Sequence, residues 1–169
     1  MSSNIKLGND NHTILKKEID TSFFNRLSYH IHNRMKQFGY YDKERERGTI
    51  LLLIVTEIIK LYDENKLNRI EKVVDIAMRL FDYCGHNNIK FNNKSMVYTP
   101  YSLDKMIECI TNEYESHRSD IKTNNYYIKK CLYMCYSFAK DNNIDLNKEI
   151  IIKLKKLDKI YKMKKLRKI

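Results

Sequence analysis

Apolar residues recur every three or four positions along most of this chain, and caps divide them into about six helical stretches. Phe24, Leu27, Ile31 and Met35 form one stripe, with Asp20, Thr21 and Ser22 as N-cap candidates before it and Gly39 as a C-terminal stop. The charged segment Tyr40 to Gly48 reads as a loop. Ile50, Leu51, Leu53, Ile54, Glu57, Ile58 and Leu61 suit a second helix; the β-branched run Ile50 to Val55 fits a strand on its own, and length decides for helix. Asn68 offers a cap for the best-defined stretch, in which Ile70, Val73, Val74, Ala77, Leu80, Phe81 and Cys84 recur at helical spacing before Gly85 closes it.

Pro100 and Ser102 start a fourth helix with Leu103, Met106, Ile107 and Ile110 on one face, and Tyr127, Ile128, Cys131, Leu132, Cys135 and Phe138 mark a fifth. Asn147 then caps a last, very basic helix. The pattern predicts an all-α bundle of about six helices with a four-helix core. Its organisation is a loose polar arm over 1–19, a helical domain over 20–146 and a basic helix over 147–169. A faint echo, Asn87-Asn88-Ile89 and Asn142-Asn143-Ile144, ends two of the predicted helical hairpins, which fits either a duplicated hairpin or biased composition.

Composition supports helices. Glycine and proline make up about 3% of the 169 residues against a usual ~12%, which disfavours the many tight turns of a β-sandwich. Neither a Gly-x-Gly-x-x-Gly fingerprint nor a Gly-Lys-Ser/Thr loop is present, so any nucleotide has to be held without a glycine-rich phosphate cradle. Cys84, Cys109, Cys131 and Cys135 form no Cys-x-x-Cys pair, the first twelve residues lack an apolar signal segment, and the longest apolar run is far short of a membrane span. An intracellular protein with reduced thiols is expected.

The net charge of +11 is concentrated at one end. Residues 147–169 hold ten Lys/Arg against Glu149 and Asp158, a local charge of +8, which leaves an ordinary +3 for the first 146 residues. Ile150, Leu154, Leu157 and Tyr161 line one face of that helix among lysines. Such a basic amphipathic helix suits nucleic acid, an anionic membrane or a partner's groove. Tyr126, Tyr127, Tyr133 and Tyr136 near Lys129 and Lys130 could stack on single-stranded nucleic acid, although half-buried tyrosines explain the same pattern. His30 and His32 fall on different helix faces and His86 and His117 have no sequence partner, so all read as surface or loop residues. Cys131 and Cys135 read as core.

The candidate chemistry lies in acids on the second and third helices. Glu57 and Glu64 are seven apart, as are Asp75 and Asp82, so each pair runs along one stripe, and Asp63 and Glu71 lie close by. Two helices facing each other with inward carboxylates can share Mg²⁺, whose oxygen-rich coordination suits a phosphoanhydride substrate.

Phe38-Gly39-Tyr40-Tyr41-Asp42, followed by Leu51 through Asp63, resembles the opening of the phage-type MazG-like proteins, relatives of the all-α NTP pyrophosphohydrolases. Val73-Val74-Asp75-Ile76-Ala77-Met78-Arg79-Leu80-Phe81-Asp82, then Gly85 and Ile89, is similar to that family's acidic third helix, and Asn143-Ile144-Asp145-Leu146 through Lys153 to its closing element. The resemblance implies a MazG-like bundle, a homodimer or larger oligomer, and Mg²⁺-dependent release of pyrophosphate from a nucleoside triphosphate. Glu57 and Asp75 would be catalytic and bind the metal, supported by Asp63, Glu71 and Asp82. At two of the family's four acidic positions this chain has Lys60 and Lys72. Each exchange of carboxylate for ammonium repels a divalent ion and offers phosphate a direct contact, so Lys60, Lys72 and Lys153 become phosphate-binding candidates and hydrolysis is expected to be weakened or lost. The alternative is a non-catalytic helical protein that binds nucleic acid, nucleotide or a protein partner through its basic tail.

Overall fold

The computed structural model describes residues 21–62, 66–92 and 99–166, and the side chains of 66, 67, 165 and 166 are outside it. The expected arm over 1–19, Asp20, Asp63 and Glu64 therefore lie outside the described residues. Six α-helices and no strand occur among the described residues: α1 Thr21–Gln37, α2 Arg47–Ile59, α3 Lys66–His86, α4 Leu103–Arg118, α5 Tyr126–Asp141 and α6 Leu146–Leu166. The all-α expectation holds, and the β-branched run from Ile50 lies wholly within α2. No described helix is long and apolar enough to cross a membrane.

α3 is the central element and packs against α1, α2, α5 and α6, while α4 pairs with α5 and α2. Of the stripe read from the sequence, Val73, Val74, Ala77, Leu80, Phe81 and Cys84 are buried and Ile70 is partly buried, and Ile76 joins them on the core face. All four cysteines are free and buried, as small hydrophobes in the core. Phe24 of α1 sits edge-on to Phe81 and Phe91, with ring centroids 5.4 and 5.3 Å away. Asn25 then clamps the segment after α3: its amide donates to the Phe91 carbonyl (3.0 Å) and accepts from the Phe91 N–H (2.9 Å).

Helix ends are built from the caps that a glycine-poor chain can supply. Gly39 (φ +81°) closes α1 as expected: its N–H donates to the Lys36 carbonyl and the Tyr40 N–H to the Met35 carbonyl. Gly85, read as the end of the third helix, is instead inside it. α3 closes at Asn88 (φ 52°), where the Ile89 N–H reaches the Cys84 carbonyl at 2.8 Å. Asn143 (φ 56°) closes α5 with the same bond pattern, Ile144 N–H to the Ala139 carbonyl at 2.8 Å. The start of α6 also differs from the expectation, because Asp145 accepts from the Lys148 N–H while Asn147 accepts from the Tyr136 hydroxyl. α3 begins at Lys66, which puts Asn68 inside its first turn.

Gly85 sits at a close approach of α1 to α3. A Cβ there would fall 2.5 Å from the Ser28 carbonyl oxygen and 2.6 Å from His32 Cβ. Gly85→Ala is expected to lower stability by about 2–3 kcal/mol, despite alanine's better helix propensity, because the clash is with backbone. Urea denaturation of the two proteins at equal m-value checks this.

Candidate active site

On α3, positions 75, 78, 79 and 82 recur at three- and four-residue spacing and form a second stripe beside the core face. That stripe is one wall of an open cleft of about 170 Å³. Asp75, Met78, Arg79 and Asp82 line it from α3, Glu57 from α2, and Lys153 and Leu157 from α6; Met35 and Tyr40 complete it. The fold thus brings together four residues named from the sequence: Glu57, Asp75, Asp82 and Lys153. Glu71 stands one turn outside, and neither Lys60 nor Lys72 is among the lining residues, although Lys60 pairs with Glu57.

Each of the two acids expected to be catalytic has a lysine on it. Lys60 Nζ lies 3.1 Å from Glu57 Oε1 in an i,i+3 pair whose carboxylate side chain is 15% exposed. Lys153 Nζ lies 2.5 Å from Asp75 Oδ1 and 3.0 Å from Glu71 Oε1, bridging two α3 acids that sit four residues apart on one face. Burial alone would depress the Lys153 ammonium, but hydrogen bonds to Asp75 and Glu71 outweigh it and hold the group above the ordinary lysine range. The hydrogen bond from Lys153 holds the exposed Glu71 carboxyl below its usual value.

Asp82 is built into a different network. Its Oδ1 lies 2.9 Å from His32 Nδ1 and its Oδ2 accepts from the Tyr41 hydroxyl at 2.9 Å. The Tyr41 ring is stacked on His86 at 5.0 Å, and the Arg79 guanidinium lies 5.3 Å over the Tyr40 ring. Burial raises the Asp82 carboxyl more than these hydrogen bonds lower it. Desolvation, with the Asp82 charge beside it, pushes the Tyr41 hydroxyl well up.

His32 corrects the sequence reading. It is 6% exposed, held between α1 and α3, whereas His30 is exposed. The signal was present: position 32 is four after the buried Ser28 and three before Met35, inside the apolar stripe rather than opposite it. Arg79 and Tyr40 are site residues that the sequence did not single out as such; Arg79 shares the stripe of Asp75 and Asp82, and Tyr40 follows the Gly39 cap into the cleft.

For Mg²⁺ the donor set fits poorly. Glu57 and Asp75 are each paired with an ammonium, Asp82 is held by a histidine and a tyrosine, and among the described residues no group of three or more His, Cys, Asp or Glu is arranged to hold a metal ion. The cleft offers a short row of carboxylates with cations between them, chemistry that suits a polar, charged ligand.

No family model, curated protein or solved structure matches the chain. The network at Asp82 can be tested directly. Asp82→Ala leaves the buried His32 and the half-buried Tyr41 hydroxyl without this partner and is expected to cost about 2–4 kcal/mol at pH 7, against about 1–2 kcal/mol for Tyr41→Phe. Because the folded-state carboxyl is raised, its share of stability is complete below the ordinary aspartate range and is lost as pH rises through the raised value. The wild-type advantage over Asp82→Ala should therefore widen as pH falls from 7 towards the ordinary aspartate range, measured by urea unfolding at several values from about pH 7 to about pH 4.

Proposed function

We propose that this chain is a nucleotide-binding helical protein of the MazG-like type whose pyrophosphohydrolase activity is weakened or lost. The observation that carries the reading is Lys153, whose ammonium bridges Asp75 and Glu71 within the cleft that Glu57 lines. A lysine in that position supplies one positive charge where a divalent ion would supply two, and it cannot polarise a phosphoryl oxygen or acidify a water as Mg²⁺ does. It can donate directly to phosphate, and Arg79 on the same wall adds a fork of donors. The cleft's acids then act as positioning groups, holding Lys153 and Lys60 in place for a triphosphate. The type also implies a homo-oligomer, and an exposed apolar stripe on α2, Leu52 (63% exposed) and Ile59 (52%), supports self-association.

Nucleotide binding measured by calorimetry with and without Mg²⁺, paired with pyrophosphate release from a panel of standard and modified NTPs and dUTP, tests the reading. Binding should persist without Mg²⁺ and weaken about tenfold or more in Lys153→Ala, with release no greater than in Glu57→Ala or Asp75→Ala. Metal-dependent release that both of those variants abolish would establish an active enzyme instead. Absence of nucleotide binding would retire the nucleotide reading.

A second reading rests on α6. Beyond Leu154 its lysines Lys155, Lys156, Lys159, Lys162 and Lys164 are all exposed, a cationic surface separate from the cleft. If it binds RNA, affinity for a short single strand should fall steeply with salt, and reversing Lys155, Lys156, Lys159 and Lys162 to glutamate should flatten the log K against log[salt] slope. A slope unchanged by those substitutions removes this reading.

A further inference from the structure

About 15 Å along α2 from Glu57, taking ten residues at helical rise, lies a second polar pocket that shares no lining residue with the cleft. It measures about 270 Å³ and is formed by Arg47 at the start of α2, the last two turns of α4 and the connection 119–125 that leads into α5. No local sequence pattern marks it, because Arg47 meets the stretch 113–125 only in the fold.

Its distinguishing feature is Glu113. This side chain lines the pocket yet is only 4% exposed, and its Oε1 accepts one long bond from the Tyr83 hydroxyl at 3.3 Å. Its Oε2 has no hydrogen-bond partner, the one buried side-chain polar atom of which this is true among the described residues. An unpartnered buried carboxylate oxygen is a standing cost to the fold, and folds keep such groups where a ligand completes them. Arg47 does not supply the missing bond. Its Nη1 lies 2.9 Å from His117 Nδ1, and since a guanidinium only donates, the histidine nitrogen is the acceptor.

The walls are balanced in charge: Glu113 and Asp120 oppose Arg47 and Lys122. They are also polar along the axis. α4 ends at Arg118, and α5 begins after Asn125, a left-handed N-cap (φ 57°) whose side chain makes no capping bond; the Tyr126 N–H is spent on the Thr123 carbonyl at 3.0 Å, so the positive end of α5 is carried by the amides of Tyr127 and Ile128. A simple anion would leave Glu113 unpaired and face two carboxylates. A simple cation would face Arg47 and Lys122.

We propose that this pocket binds a small zwitterion of the α-amino-acid class, its ammonium donating to Glu113 Oε2 and its carboxylate meeting Arg47, Lys122 and the leading amides of α5. The site is independent of the nucleotide reading.

The test uses the full chain in thermal-shift and calorimetric titrations with the twenty standard amino acids and, for each one that binds, its N-acetyl and carboxamide derivatives. At least one amino acid should raise Tm saturably, with both derivatives about tenfold or more weaker, since each removes one charge-assisted contact. Glu113→Gln, which keeps the shape, should lose that binding, and Arg47→Ala should weaken it. Without ligand, Glu113→Gln should melt about 2–4 °C higher than wild type, because it removes the unpaired charge. The proposal is overturned if no amino acid binds at millimolar concentration, if an N-acetyl or carboxamide derivative binds as well as its parent, or if Glu113→Gln binds like wild type. A ligand-free Glu113→Gln protein that melts lower would likewise overturn it, by showing the carboxylate to be structural.

Discussion

The close approach of α1 to α3 at Gly85 is the contact on which the rest of the molecule depends. With no Cβ at that position, the Ser28 carbonyl and His32 Cβ can sit where a side chain would otherwise be. That spacing lets His32 reach Asp82 and lets the Gly39 cap turn the chain so that Tyr40 and Tyr41 fold back over α3. The same two tyrosines bound or support the cleft. A glycine whose sequence position suggested a helix end therefore sets the distance between two helices and, through it, the floor of the site.

α3 carries three jobs on adjacent stripes. One stripe, with Val73, Ile76, Leu80 and Cys84, is core, and its neighbour, with Asp75, Arg79 and Asp82, is the cleft. A third set, Gly85 against Ser28 and Asp82 against His32, meets α1. The electrostatics follow from this crowding. Asp82 is far enough inside that desolvation outweighs two good hydrogen bonds, while Glu71, one helical turn beyond the cleft, is exposed and simply follows Lys153. Lys153 is held because α6 is anchored on each side of it by the buried Ile150 and Leu154. A tally of the basic helix as a +8 tail hides this: Lys153 points inward and is structurally committed, whereas Lys155, Lys156, Lys159, Lys162 and Lys164 face solvent.

The amphipathic stripes were legible because a 3.6-residue period leaves a strong trace, and they placed all six helices and most of the buried residues. Asp75 and Asp82, seven residues apart, line the same wall of the cleft, since spacing within a helix fixes direction. What spacing does not encode is partnership between segments. Nothing local tells that Lys153 reaches Asp75 across 78 positions, that His32 is buried against Asp82, or that Glu113 lies under Tyr83. Caps were the other loss. Gly85 and Asn147 carry the residue types of a stop and a start, but the chain uses Asn88 and Asp145 a few positions away, where the backbone bonds close.

The Asn-Asn-Ile echo draws its meaning from those caps. In both copies the first asparagine donates its side-chain amide to the carbonyl four residues back, Asn87 to Tyr83 at 2.9 Å and Asn142 to Phe138 at 2.8 Å. The second adopts the left-handed conformation and the isoleucine N–H closes the turn. A non-glycine residue in that conformation costs roughly 1–2 kcal/mol, least for asparagine, and the side-chain bond beside it together with the isoleucine packed on the core offsets the cost. Asp120 ends α4 by the same backbone pattern without the asparagine pair. A chain with four glycines among 169 residues has to close most of its helices this way, so cap chemistry is sufficient to produce the repeat wherever a helix must stop and bury the residue that follows.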